Sequence, residues 1–294
     1  MSRMPIVAGR WSALFLLLVS SAGCGLRTHL AVGSMVPILE NTADAARERR
    51  DLGTVEKALP ANLLLLDGLI RTEPDNRSLL TLGAYLYFGY ALGFVETADP
   101  GLAATYYAMG RDYGFRALDH CGAFRRGCAG NLEDFERGVK SLTKEDVPAM
   151  AWTGADWGRW LSLNLDSPAA VADLPRLEAL LTRLDELNPE FEHGLPEALL
   201  GIYDATRPAM FGGNTGRAKA HFDRAFEISG RHVLIYLVFY AEYYCRQTLD
   251  QPCFEKTLDE VDSAPVGALP DENLLNEIAR KRAVELRAKE PELF

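Results

Sequence analysis

The sequence predicts an all-helical chain of stacked antiparallel hairpins, and three observations carry that reading. No stretch alternates apolar and polar residues as a half-buried strand would. Apolar positions instead recur at spacings of three and four, most regularly at Leu177, Leu180, Leu181, Leu184 and Leu187. The amphipathic stretches are separated by Pro and Asx stops such as Glu73-Pro74-Asp75-Asn76, Asp99-Pro100-Gly101 and Asn188-Pro189. A chain of 294 residues that is 48% apolar can bury a sizeable core. The expectation is one helical domain over 39–294.

What precedes that domain follows a different logic. Arg3 and Arg10 form a positive amino-terminal region, Trp11 to Val19 an apolar run, and Ser21-Ala22-Gly23 stand before Cys24. This pattern is that of a secretory signal over 1–23, too short for a spanning helix. Small residues directly before a cysteine resemble the bacterial lipobox, which implies lipidation at Cys24 and a tether over 24–38. Several acyl chains anchor a protein to a bilayer far better than one. Gly25, standing where Asp would favour retention at the inner membrane, leans toward the outer membrane, on its periplasmic face. Loss of Arg3 and Arg10 takes the formal charge from −10 to about −12. So acidic a surface excludes nucleic acid as a partner and leaves the lipid anchor as the membrane attachment.

Taken in order, the first helix is expected over Leu39 to Glu56. A second opens at Leu59-Pro60, where Pro suits the first turn, and stops at Pro74. Leu79 to Val95 carries no charge, but its glycines and tyrosines and its short length make it a buried helix rather than a membrane span. Leu102 to His120 is its partner. Helices follow at Asn131 to Leu142, through the tryptophan-rich segment 146–166, and from Asp173-Leu174-Pro175 to Leu187. Leu195 to Thr206 and Arg217 to Ser229 pair next, then Val233 to Gln247 and Phe254 to Val261, and Glu272 to Ala288 closes the chain.

Export into an oxidising compartment frames the cysteines. Cys121 and Cys128 form one local pair and Cys245 and Cys253 another, and each is expected as a disulfide rather than as metal ligands. The tryptophans pose a different choice. On a helix, Trp152, Trp157 and Trp160 fall within an arc of roughly 140°. Such a face serves either as a core anchor or as the wall of an apolar cavity.

Hairpin recurrence invites comparison with tetratricopeptide repeats. Ala218, Phe222 and Ala225 reproduce the Ala-x3-Phe-x2-Ala spacing of that repeat's second helix, and Leu200-Gly201 the Leu-Gly of its first. Leu82-Gly83 with Ala103, Tyr107 and Gly110 is a looser copy. Together with the lipobox, LLLLDGLI followed by PDN, the text Tyr87 to Glu96, GRDYGFRAL and DVPAMAWTGADWGRWLSLN, the chain resembles the T-component family of lipoproteins that accompany tripartite ATP-independent periplasmic (TRAP) transporters. The resemblance implies a tetratricopeptide-like superhelical domain and association into a homotrimer. It also implies docking to the transporter's periplasmic solute-binding protein, and an internal pore or cavity suited to apolar ligands.

No catalytic or metal-binding motif competes with that expectation. His-Glu-x-x-His and Gly-x-Ser-x-Gly do not occur, GGNTGR lacks the lysine of a phosphate loop, and the five histidines share no ligand spacing. No cofactor is expected. Tyr87, Phe94, Trp152, Trp157 and Trp160 are the candidate cavity wall. Glu96, Arg111 and Tyr113 supply candidate polar groups, with the Arg111 fork either tying neighbouring hairpins through an ion pair or orienting a ligand carboxylate. The reading is therefore a non-enzymatic, lipid-anchored transport accessory, with a scaffold that bridges envelope proteins and holds no small molecule as the alternative.

Overall fold

The computed structural model describes residues 32–207 and 212–294. Among them every regular element is helical. Helix α1 covers 32–47 and α2 runs Leu52–Thr72. Then come α3 (Arg77–Tyr90), prolonged by a π-helical turn at Ala91–Val95, and α4 (Pro100–Leu118). The short pair α5 (Gly122–Cys128) and α6 (Leu132–Lys140) precedes α7 (Val147–Ser162) and α8 (Pro168–Leu187). After them stand α9 (Leu195–Thr206) and α10 (Thr215–Ser229). The remainder is α11 (Leu234–Phe239) with a π-helical turn at Tyr240–Cys245, α12 (Gln251–Ser263) and α13 (Asn273–Leu293). The signal, Ser21 to Gly23 and Cys24 lie outside the described residues.

Helix starts depart from expectation for a common reason. Residues 32–38, expected as tether, already belong to α1, which buries Val32, Val36, Leu39 and Ala43. The helix expected over Leu39 to Glu56 is broken at 49–51, where Asp51 caps α2 by accepting from the Thr54 amide at 3.3 Å. Pro60 and Pro175 are not starts but interior residues of α2 and α8, which begin at Leu52 and Pro168. Proline removes one amide and crowds the preceding turn, yet these helices continue because packing outweighs that local penalty.

Consecutive helices pack as neighbours, α3 on α4 and α9 on α10 most extensively, while the α5–α6 pair is inserted before α4 meets α7. One repeat-like pair, Gly201 and Phe222, packs as its spacing suggests, whereas Gly83 meets Tyr113 rather than the Tyr107 of the looser copy. A Cβ on Gly201 would lie 2.9 Å from the Phe222 ring, and one on Gly83 2.8 Å from the Tyr113 ring. In each case a glycine lets a neighbouring aromatic seat against the helix. Arg77–Val95 is long and apolar enough to cross a membrane, but 67% of its span is buried, as in a core helix.

Only one of the two expected disulfides forms. Cys245 and Cys253 are bonded, with Cα atoms 5.6 Å apart, because the chain reverses between α11 and α12. Cys121 and Cys128 are free thiols. They sit at the two ends of α5, and seven residues of helix separate them by roughly 10 Å, beyond the reach of a bridge.

Candidate functional site: an apolar cavity between two charge clusters

Helices α1, α3, α7, α9, α11 and α13 enclose a cavity of about 110 Å³. That is several times the roughly 10–15 Å³ one water needs. Its wall is mostly aliphatic and aromatic, with Phe88, Phe94, Trp152, Leu199, Ile202 and Phe239 prominent. Both π-helical turns border this region, as Leu92 and Phe94 lie in the first and Phe239 directly precedes the second. An extra residue per turn rotates the side chains that follow, so a π turn redirects part of a helix face toward the interior.

Arg159 brings charge to one part of the wall. Its Nε donates to Glu96 Oε2 at 3.0 Å and its Nη2 to Glu96 Oε1. Arg282 Nη2 donates to the same Oε1 at 2.9 Å, and the Tyr107 hydroxyl to Oε2 at 2.6 Å. Burial raises the Glu96 carboxyl, but the two guanidiniums and the hydrogen bonds from Arg159 and Tyr107 outweigh it and hold the group at about 2. Arg282 also engages Glu242 at 3.0 Å, and Arg159 the Tyr243 hydroxyl.

A second cluster closes another part of the cavity. Arg47 of α1 donates to Glu192 at 2.6 Å, to Glu272 at 2.5 Å and to the Asp271 carbonyl at 3.0 Å. Glu272 is buried, and desolvation pushes its carboxyl up to about 7 despite the Arg47 charge beside it. Glu192, His193 and Gly194 take positive φ in succession, at 45°, 56° and 96°. Such backbone is costly for the first two and persists only where surroundings fix it, here partly through the Tyr236 hydroxyl on the Glu192 carbonyl at 2.6 Å. His193, Asp271 and Glu272 place three potential metal-ligand atoms within 4.8 Å of one another, although Arg47 already occupies Glu272.

The residues expected to share one site divide among three places. Trp152 and Phe94 line the cavity, with the Trp152 ring 4.6 Å from that of Tyr85. Trp157 is instead packed in the core against Phe115 and Phe135, at 5.1 and 6.2 Å. Trp160 lies under the Arg111 guanidinium at 4.6 Å, and Arg111 pairs with Asp112. Tyr87 and Tyr113 do not reach the cavity. Both donate to Asp67, at 2.9 and 2.8 Å, and tie α2 to α3 and α4. Glu96 touches the site only through Arg159.

Sequence reasoning missed Arg47, Tyr85, Arg159, Glu192 and Glu272. Asp156 and Arg159 carried a visible signal, being the two charges within an otherwise uncharged α7. Asp156 is wholly buried and neither carboxylate oxygen has a partner among the described residues. It packs on α4 where a Cβ on Gly110 would meet its Oδ2 at 2.3 Å. Burial pushes the pKa of its carboxyl well above the ordinary range, against the pull of Arg111.

Comparison with known proteins agrees with this architecture. A family model described as TRAP transporter T-component matches residues 48–294. An uncharacterized protein of Treponema pallidum (strain Nichols) is similar along nearly its whole length. It is 24% identical over 303 residues, covering 93% of this chain and 94% of that one.

Proposed function

Since the chain belongs to the TRAP transporter T-component family, and so serves as an accessory of TRAP transport, we propose that it docks a periplasmic solute-binding protein and holds an apolar or amphipathic ligand in its central cavity. The observation that carries this reading is the apolar cavity closed by one buried and one half-buried charge cluster. Apolar ligand surface would gain by leaving water for the Phe88, Trp152 and Ile202 wall, while Arg47 or Arg159 offers a donor to a polar head. In this reading the protein is anchored through Cys24 at the periplasmic face of the outer membrane and assembles as a homotrimer. The chain supplies binding, and no chemical step is assigned to it.

Native mass spectrometry of the full chain, with and without the solute-binding subunit of the same transporter, tests the docking half. A trimer that takes up the subunit supports it, and a monomer that ignores it refutes it. Titration with dodecanoate tests the other half: saturable uptake supports the cavity reading, and its absence leaves a scaffold without a small ligand.

A further inference from the structure

A second pocket, of about 300 Å³, opens between α4, α5, α6, α7 and α8, on the side of α7 that carries Trp157. Arg111, Asp112, Phe115, Trp157, Asp173 and Arg176 line it. What distinguishes it is that some of its polar groups, Trp157, Arg176 and Asp173, are not satisfied by one another. Trp157 is only 3% exposed, yet its indole N–H has no acceptor among the described residues. A buried donor left in that state costs stability, and indoles are normally paired. Arg111 spends Nε and Nη2 on Asp112, at 3.1 and 2.9 Å, which leaves Nη1. Arg176 spends Nη1 and Nη2 on the carbonyls of Cys128 and Gly130, at 3.3 and 2.6 Å, which leaves Nε and a charge with no carboxylate partner among the described residues. Asp173 makes no hydrogen bond or ion pair among the described residues.

Arg111 and Asp112 neutralise each other, so Arg176 and Asp173 stand as one charge of each sign without an ion-pair partner among the described residues. A plain anion would meet Asp173, and a plain cation would meet the Arg176 guanidinium. A ligand carrying both charges would meet a partner for each. The walls contributed by Phe115 and Phe135 add apolar surface beside these groups.

We propose that this pocket binds a small zwitterion with an apolar body, an α-amino acid being the simplest case. Its carboxylate accepts from Arg111 Nη1 and Arg176 Nε beside the Trp157 ring, its ammonium faces Asp173, and its side chain lies against Phe115 and Phe135. The two arginines are held for this by stacking, Arg111 on Trp160 at 4.6 Å and Arg176 on Phe135 at 5.4 Å. The proposal is independent of the central cavity.

The test is a titration of the full chain with L-phenylalanine, followed at the indole ¹H–¹⁵N resonance of Trp157, identified by its loss in Trp157→Phe. A saturable shift is expected. N-acetyl-L-phenylalanine, which lacks the ammonium, and L-phenylalaninamide, which lacks the carboxylate, should each bind about tenfold more weakly or worse, as loss of a charge-assisted hydrogen bond implies. Asp173→Asn should weaken phenylalanine by a similar factor and leave the N-acetyl analogue unchanged, a contrast that loss of fold cannot produce. A resonance that does not move, or that moves equally with all three ligands, overturns the proposal.

Discussion

Glu96 and Arg159, 63 residues apart in sequence, form a two-point ion pair in the interior, beside the cavity that Arg159 lines. Glu96 is the shared acceptor of Arg159, Arg282 and Tyr107, so its removal leaves the buried Arg159 without a carboxylate, while Arg282 keeps Glu242. Glu96→Gln is expected to cost about 3–5 kcal/mol of unfolding free energy, measured by urea denaturation at pH 7.

The same group sets an acid limit. Its folded value of about 2 lies below its ordinary value of 4.5, so the folded state binds that proton less readily than the unfolded chain. The stabilisation is present above 4.5 and is lost as pH falls from there toward 2. Wild-type protein should lose stability through that window, and Glu96→Gln should lose less of it. Parallel curves for the two would refute the assignment.

Asp156 has the opposite sign. Its folded value is raised well above 3.8 by burial, so its contribution is present at low pH and is lost as pH rises above the unfolded value. At neutral pH the folded state must therefore either protonate this side chain or hold an unpaired charge. Asp156→Asn keeps the shape against Gly110 and removes the ionisation. It should raise stability at pH 7 by on the order of 2–4 kcal/mol and change it little at pH 3. Destabilisation at both pH values would show that the carboxyl has a partner.

Periodicity made the helices legible, and the leucine spacing and Asn188-Pro189 stop located α8 and its end, though not its start at Pro168. The break at Arg49 and Arg50 was not legible, because charged residues continue through it without a glycine or proline. Pro60 and Pro175 misled because proline marks a first turn only when packing does not carry the helix past it. At the site, a 3.6-residue period places Trp152 and Trp157 on one broad face but cannot say that one borders a void and the other the core. Arg47 and Glu272 stand 225 residues apart and belong to no motif, so their contact exists only once α1 and α13 are packed. Gly110 and Gly114 of GRDYG let α7 approach α4 closely, a contact that their place in the sequence did not announce.

The cysteines give a count that separates two covalent structures. Protein beginning after Cys24 should titrate two thiols in denaturant before reduction, from Cys121 and Cys128, and four after it. No thiol before reduction would mean that α5 does not hold its ends apart. Replacing Cys245 and Cys253 by serine should cost about 2–3 kcal/mol, the loop-closure value for so short a ring.

Filling the cavity and enlarging it should act in opposite directions. Ala198 of α9 is 1% exposed and faces the void, so Ala198→Phe places a ring where the ligand is proposed to lie. The fold should tolerate it, since added volume meets empty space rather than packed neighbours. Dodecanoate uptake should fall by about tenfold or more, as the ligand's apolar contacts are lost. Trp152→Ala removes part of the wall and should cost about 3 kcal/mol, while leaving a larger space. Calorimetric titration of both variants separates the cavity from the surface. If Ala198→Phe binds dodecanoate as the wild type does, the ligand sits elsewhere and the Trp152 wall is core packing alone.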